Sequence, residues 1–188
     1  MKIRHRQKTH RRLNRLVGFY RISSVSLFTL GIIVLLGGAG FRVNLTPSEP
    51  LGIWRIVKPD RPILVGDLIF ICPPATDEMR EARARGYIRF GLCAGRVAPL
   101  IKTVVAASGQ VIEIQDDVRV DGRPLPHSRV ARADGQGREM KHYHGGCVPP
   151  GTVFLHSEFP GSFDSRYFGP LPMNVILGLA QEVWTYEP

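Results

Sequence analysis

Acidic residues are absent from the first forty-two positions, which nevertheless carry nine lysines and arginines. Residues 43–188 hold sixteen basic and sixteen acidic residues, so the net charge of +9 belongs entirely to the N-terminal segment. A DNA- or RNA-binding domain carries its basic surplus on the folded body, and this body has none. We therefore predict that nucleic acid is not a partner and that the basic tail, residues 1–21, serves another purpose.

Recognisable metal and redox spacings are also absent. The three cysteines form no CxxC pair, and His142 and His144 alternate in a polar loop, an arrangement that rarely binds a metal by itself. We predict neither a metal nor a cofactor. Cys72, Cys93 and Cys147 allow at most one intramolecular disulfide, with one thiol left over, and the pairing stays open.

A run of twenty residues without a charge, residues 22–41, follows the basic tail. As a helix it would be about 30 Å long, which matches the hydrocarbon core of a membrane. The positive-inside rule places the basic end in the cytoplasm and residues 43–188 on the far side. A cleavable signal peptide is the competing interpretation, because small residues precede Gly40, but the length of the run favours a retained anchor.

The remaining chain has the pattern of a mainly β domain, residues 43–188, in which short β-branched and apolar runs alternate with Gly and Pro. Residues 43–56 are expected to be largely irregular, and Asp121-Gly122 predicts a hairpin turn. Residues Thr76–Gly86 predict a short helix inserted between two strands, with a cap at its start and a glycine at its end. The polar, Gly-rich residues 127–147 predict a mobile loop.

Three segments could carry chemistry, and the first contains Ser48. This serine lies between Pro47 and Pro50 just beyond the apolar run, and the prolines keep the segment out of a helix. Such a rigid backbone presents a hydroxyl well, although an ordinary linker has the same composition.

The second segment is the apolar run around Lys102, "PLIKTVV". Strand alternation puts Leu100 and Val104 on the same face as the lysine, so its amine should lose hydration there. To act as a base near neutrality, its pKa must fall from about 10.4 to about 8, which costs roughly 3 kcal/mol. The alternative is an edge-strand lysine whose amine reaches solvent.

The third segment, "SFDSRYFGP", contains Asp164 and Arg166, which we expect on the same side of an extended strand. They would form either a structural ion pair or a scaffold that orients the lysine. His156 lies a few residues earlier and could complete a Ser-His-Asp triad, but a hydrogen-bonded structural histidine is the commoner role for such a residue.

Together these segments resemble the type I signal peptidase superfamily, and more closely its TraF-like branch of conjugative transfer signal peptidases. The similarity runs from the apolar segment to about Gly178 and consists of four short boxes in the family's order. The matching residues are Thr46, Ser48, Pro50 and Gly52, then Gly66-Asp67, then Lys102 with "VVAASGQ", and finally Ser162, Asp164, Ser165, Arg166 and Gly169.

The resemblance implies a serine endopeptidase with a signal-peptidase-like β-domain of coiled antiparallel sheets behind one N-terminal transmembrane helix. Ser48 would be the nucleophile and Lys102 the general base. Supporting roles would fall to Thr46 at the oxyanion, Ser162 in orienting the lysine, and Asp164 with Arg166 in bracing that region. The implied location is the bacterial inner membrane, with the N-terminus in the cytoplasm and the catalytic domain in the periplasm.

The implied partners are membrane lipid and a pilin or other secreted-protein precursor with small residues at its cleavage site. Relatives of this branch cleave a pilin precursor and join its ends into a ring, and nothing in the sequence separates these outcomes. Glu49 and residues 156–158 depart from the pattern of general signal peptidases, which points away from housekeeping preprotein cleavage. The alternative from outside the enzymes is a non-catalytic, membrane-tethered assembly protein of a pilus or secretion apparatus, whose β-domain would serve as a docking surface.

Overall fold

The computed structural model describes residues 26–187, and these divide into two units, one ending at Phe41 and one beginning at Arg42. In the first unit, residues 26–38 form helix α1. Among the described residues, no helix combines the length and the apolar character needed to cross a membrane. The basic tail and the first residues of the predicted anchor lie outside the described part of the chain.

The second unit is built mainly from short strands, as the sequence predicts. A seven-stranded sheet has the order β1-β2-β11-β3-β4-β9-β10, a four-stranded sheet has the order β7-β6-β5-β8, and every register recorded is antiparallel. The strands are β1 (Phe41–Asn44), β2 (Leu51–Val57), β3 (Leu68–Ile71), β4 (Leu100–Ala107), β5 (Val111–Ile114), β6 (Val118–Val120), β7 (Arg123–Pro124), β8 (Gly146–Cys147), β9 (Thr152–His156), β10 (Leu171–Pro172) and β11 (Ile176–Tyr186).

The prediction that residues 43–56 are largely irregular is wrong, because β1 ends at Asn44 and β2 begins at Leu51. Only the six residues between these strands form a loop, and that loop contains Ser48. Strand β2 is secured by β11, which pairs with it from Leu51 to Val57. This long-range pairing overrides the local effect of the prolines, which act only in the loop.

Two local predictions are confirmed. Helix α2 (Asp77–Ala84) is capped by the hydroxyl of Thr76, which accepts from the backbone N–H of Met79, and acidic residues occupy its first turn. The turn between β6 and β7 is formed by Asp121 and Gly122, both with positive φ, 50° and 75°. Positive φ at both central residues is the geometry of a two-residue hairpin turn.

The insertion between β3 and β4 is held by a disulfide. Cys72 and Cys93 are bonded, with their Cα atoms 5.5 Å apart, while Cys147 is an exposed free thiol. Because the bridge joins positions 21 residues apart, it closes the segment that carries α2. Met79 and Ala82 on that helix pack into the core cluster that also contains Ile69, Val104 and Leu155.

The polar residues 127–147 are irregular up to the short strand β8 at Gly146–Cys147, but they are bound to the rest of the domain. The hydroxyl of Tyr167 accepts from Ala131 N, the guanidinium of Arg166 donates to Arg129 O over 2.7 Å, and Tyr143 N donates to Arg166 O. These hydrogen bonds hold residues 127–147 against the folded domain. The Gly-rich composition of the segment alone does not predict such contacts.

Candidate active site

The loop that carries Ser48 is organised by one side chain, Asn44. Its amide nitrogen lies 3.0, 2.9 and 3.0 Å from the backbone oxygens of Thr46, Glu49 and Pro50. Its amide oxygen accepts from the N–H and the hydroxyl of Thr46, at 3.0 and 2.7 Å. Asn44 is only 8 % exposed, so these contacts replace solvent and fix the path of the loop.

Two further side chains donate hydrogen bonds to backbone oxygens of this loop. The indole nitrogen of the fully buried Trp54 donates to Pro50 O over 2.9 Å. The hydroxyl of Ser157, which follows β9, donates to the backbone oxygen of Ser48 itself. Ser48 is half-buried as a result, in a loop whose backbone oxygens are bound by Asn44, Trp54 and Ser157.

Lys102 lies on β4, an interior strand of the seven-stranded sheet, and is 2 % exposed. Strand β3 pairs with it directly, Ile69 opposite Lys102, and β9 flanks the other edge with His156 opposite Thr103. Burial lowers the pKa of Lys102 from 10.5 to about 8, although the nearby carboxylates of Asp164 and Glu49 draw it upward. The alternative of a solvent-reaching edge lysine is therefore wrong, because β4 has a neighbouring strand on each side.

One cavity of about 630 Å³ brings together residues from three parts of the chain. Thr46 and Ser48 reach it from the loop, Lys102 from β4, and Ser162 from the segment before the last short helix. Much of the remaining lining is apolar and includes Phe70, Ile88, Leu100 and Phe163. Four of the six residues predicted for the site thus share one space, whereas Asp164 and Arg166 do not line it.

The expectation that Asp164 and Arg166 lie on an extended strand is wrong. Asp164 is the N-cap of a short helix, α3 (Ser165–Phe168), and its carboxylate accepts from the backbone N–H of Arg166. The pair itself is present: the guanidinium of Arg166 lies 2.8 and 2.9 Å from the two carboxylate oxygens. A carboxylate that caps a helix turns the following residues into helical geometry, which strand periodicity does not anticipate.

This pair is fully buried and, with His156 and Ser162, forms a cluster of buried polar residues. Arg166 also donates to the backbone oxygen of Ser162 over 3.1 Å. Burial by itself would raise the pKa of Asp164, but contact with His156 and Arg166 holds it below its usual value. Asp164 therefore stays ionised and acts on Lys102 through its charge.

His156 is buried in the same cluster and does not line the cavity that contains Ser48. Its Nδ1 lies 3.3 Å from the carboxylate of Asp164, yet neither ring nitrogen forms a well-directed hydrogen bond within the described structure. The hydroxyl of Ser162 is likewise buried without a hydrogen-bond partner among the described residues. The cavity thus groups Ser48 with Lys102 rather than with the histidine of the triad alternative.

The hydroxyl of Thr46, which the resemblance assigns to the oxyanion, already takes part in another hydrogen bond. Its hydroxyl donates to the amide oxygen of Asn44, and a hydroxyl has one proton to give. To donate to an oxyanion, this hydroxyl would have to turn away from Asn44. The backbone N–H of Ser48 needs no such change.

Sequence reasoning missed two residues next to Ser48. Asn44 could have been suspected, because a polar residue two positions before a threonine often closes a local turn. Glu49 was noted only as a departure from a family pattern. Burial raises the pKa of Glu49 to about 7, against the attraction of Lys102 and a hydrogen bond with Ser157.

The comparison with protein families agrees with this arrangement. The family model described as signal peptidase, peptidase S26, matches residues 17–185, so the chain belongs to this peptidase family. Its similar relatives place it in the TraF-like part of that family.

A probable conjugal transfer protein TraF of Sinorhizobium fredii is 60% identical over 89% of both chains. A conjugal transfer protein TraF of Agrobacterium fabrum is 49% identical over 92% of this chain and 97% of its own length. A plasmid transfer protein TraF of Escherichia coli is 36% identical, covering 89% of this chain and 98% of the relative. The predicted resemblance to TraF-like signal peptidases is confirmed.

A solved structure of a signal peptidase I from Enterococcus faecalis V583 is also similar. It covers 63% of this chain and 97% of its own, with 18% identity and a TM-score of 0.39. A likeness of that size carries no argument about function. The roles of the individual residues therefore depend on the geometry of this chain.

Proposed function

We propose that this chain is a membrane-anchored serine endopeptidase that cleaves a precursor protein in plasmid transfer, with Ser48 as nucleophile and Lys102 as general base. One observation carries the proposal: Ser48 and the buried amine of Lys102 line the same cavity, and the pKa of that amine is about 8. Family membership and the conjugal transfer proteins among the relatives support the type of reaction and its setting.

In the proposed mechanism the neutral amine of Lys102 takes the proton of the Ser48 hydroxyl as its oxygen attacks the scissile carbonyl. The leaving amine then receives that proton from the lysine ammonium, and an acyl-enzyme on Ser48 remains. An amine with a pKa near 8 is neutral in about a tenth of the molecules at pH 7 and in about half of them at pH 8, whereas an ordinary lysine is neutral in well under about a thousandth at pH 7. Burial on β4 is therefore the feature that makes Lys102 competent.

The oxyanion would be bound first by the backbone N–H of Ser48, in the loop that Asn44, Trp54 and Ser157 hold. Donors that are already in place stabilise the developing charge without reorganisation. The hydroxyl of Thr46 would join only after leaving Asn44. Ser162, whose hydroxyl is buried and unpartnered within the described structure, is suited to orient the amine of Lys102.

The acyl-enzyme can react further in two ways, by hydrolysis or by aminolysis. Attack by water releases a shortened precursor, while attack by the amino end of the same substrate closes it into a ring. The proposed substrate is a pilin or other secreted-protein precursor with small residues at the cleavage site. The proposed location is the bacterial inner membrane, with residues 1–21 in the cytoplasm and residues 43–188 in the periplasm.

The test is co-expression of the full-length chain with a candidate pilin precursor, followed by mass spectrometry of the precursor. Wild type should yield a shortened linear or circular product, and Ser48→Ala and Lys102→Ala should each leave the precursor intact while the enzyme remains folded. Full processing by Lys102→Ala would overturn the dyad. An unmodified precursor together with tight binding to wild type would favour a tethered docking protein instead.

A further inference from the structure

A second polar cluster, in which neither Ser48 nor Lys102 takes part, lies at the tip of residues 130–140, which we call the arm. The carboxylate of Asp134 accepts from the hydroxyl of Tyr87 over 2.6 Å and from Nε of Arg138 over 2.6 Å. Its other oxygen accepts from the backbone N–H groups of Gln136 and Arg138, both at 2.9 Å. The side chain of Asp134 is only 7 % exposed.

The same contacts reach across to the segment that follows helix α2. Arg138 donates to Arg85 O over 3.1 Å, and Arg85 donates to Glu139 O over 2.8 Å, so two arginines cross between the arm and this segment. The guanidinium of Arg138 also lies 5.7 Å from the centre of the Tyr87 ring. We call the junction of Tyr87, Asp134, Arg138 and Arg85 the seam.

Both sides of the seam line the cavity that contains Ser48 and Lys102. Tyr87 and its neighbours Ile88 and Phe90 contribute from one side, and Ala131, Asp134 and Met140 contribute from the arm. The arm is a short hairpin: an isolated bridge joins Ala133 to Glu139, Met140 N donates to Arg132 O, and Asp134 N donates to Arg138 O. Its base is fixed by the bonds from Val130 N to Asp116 O and from Ala131 N to the hydroxyl of Tyr167. These bonds shape the arm and fix its base, and the seam is what joins its tip to Tyr87 and Arg85.

We infer that Asp134 is a positioning residue, which fixes the arm to Tyr87 so that both together form a ready-made wall for an extended substrate peptide. This inference rests on the proposed function. The hydroxyl of Tyr87 and then the arm N–H groups hold the pKa of Asp134 below its usual range, so the acceptor stays ionised at working pH. A wall ordered in advance saves the substrate the entropic cost of ordering it on binding.

The sharpest variant is Tyr87→Phe, which removes one hydroxyl and keeps the ring against Arg138. Turnover of an extended peptide with small residues at its cleavage position should show a KM about five to ten times higher, with kcat within about twofold. Acylation of Ser48 by p-nitrophenyl acetate should stay within about twofold, because so small an ester does not need the arm. Asp134→Asn should act in the same way, and the double variant should be no worse than Asp134→Asn alone.

The matched control is Asp116→Asn. It breaks another ion pair of the arm, Arg132 with Asp116 at 3.1 Å, but both side chains are exposed and neither lines the cavity. Its KM and ester acylation should equal those of wild type. Thermal unfolding of each full-length variant separates a loosened arm from a lost fold.

A binding measurement keeps this inference separate from the peptidase proposal. In the Ser48→Ala background, the Kd of the same peptide should rise by the same five to ten times when Tyr87→Phe is added. An unchanged Kd, no binding of the peptide, or an equal loss of peptide turnover and ester acylation would overturn the role of the seam. Failure of wild type to be acylated on Ser48, with the Kd difference intact, would overturn the peptidase proposal and leave the seam.

Discussion

The serine loop and the lysine strand meet at one cavity, yet they are held in opposite ways. Ser48 lies in a half-buried loop whose shape depends on individual polar contacts from Asn44, Trp54 and Ser157. Lys102 lies in the middle of a seven-stranded sheet, where hydrogen-bond ladders on both sides hold the backbone and the core removes water. A nucleophile must meet its substrate, whereas a lysine base must be kept dry.

Ser48 and Lys102 should therefore respond differently to substitutions in their surroundings. In the strand, the amine of Lys102 itself destabilises the folded state, because burying a charge without full compensation is unfavourable. In the loop, removal of a donor side chain should lower the free energy of unfolding, because backbone carbonyl oxygens would lose a hydrogen bond.

The largest effect is expected for Lys102→Met, which keeps a long side chain and removes the amine. Peptidase activity should fall by about 10²–10⁴-fold, the usual contribution of a general base. Stability at pH 7 should stay equal or increase, since the pKa of Lys102 falls from 10.5 to about 8 on folding, a penalty of about 3 kcal/mol. The measurements are kcat/KM and urea unfolding of the full-length chain, with the exposed Lys58→Met as control.

The sign of this stability effect gives a second check on the same variant. The folded-state pKa lies below the unfolded value, so between about 8 and 10.5 the unfolded chain binds more protons than the folded one. Wild-type stability should therefore gain from this group as the pH rises through that window. The advantage of Lys102→Met should shrink from pH 7 to pH 10, and a constant or growing advantage would contradict a buried, depressed lysine.

A smaller effect is expected in the loop for Asn44→Ala. It leaves the backbone oxygens of Thr46, Glu49 and Pro50 without the amide that binds them, so the loop should lose its fixed shape. We expect kcat/KM to fall about 10–100-fold, in the range found when a supporting group of a site is removed, with unfolding free energy lowered by about 1–3 kcal/mol.

The loop interpretation has its own control. Ser157→Ala removes a single donor to Ser48 O and should cost less than Asn44→Ala in both measurements. Activity of Asn44→Ala equal to wild type would show that Asn44 does not position Ser48.

The smallest effect is expected for Glu49→Gln, which tests the electrostatic link between the two regions. The negative charge of Glu49 raises the pKa of Lys102, so its removal should favour the neutral amine. The acid limb of the pH dependence of kcat/KM should shift to lower pH by no more than about one pKa unit. At pH 7 such a shift would raise kcat/KM by at most about tenfold. The exposed Glu113→Gln should leave the profile unchanged. A shift to higher pH would contradict the link.

Much of the fold was accessible from local pattern. The α2 helix, the hairpin turn at Asp121-Gly122 and most strand cores depend on neighbours in sequence, such as a cap, a positive φ or alternating apolar residues. The errors came where distant residues decide. Strand β2 exists because β11, more than a hundred residues later, pairs with it, and the helical turn after Asp164 depends on a buried cap.

The candidate site divides in the same way. Ser48, Lys102, Thr46 and Ser162 were recognisable from their boxes, and they share one cavity. Their catalytic roles remain predictions. Asn44 was not foreseen, although its position two residues before Thr46 is a local turn signal. The seam was not foreseen because a carboxylate that meets a tyrosine 47 residues away has no signature along the chain.

The amino-acid sequence alone determined the segregated charge, the long apolar run, the mainly β character and membership of the TraF-like signal peptidases. These are properties of composition, of local periodicity and of short sequence motifs. Only the tertiary structure decided which cysteines bond, how dry Lys102 becomes, how Asn44 shapes the serine loop and how the arm is fixed. Burial and hydrogen bonding between distant residues are created when the chain packs, so no stretch of sequence contains them.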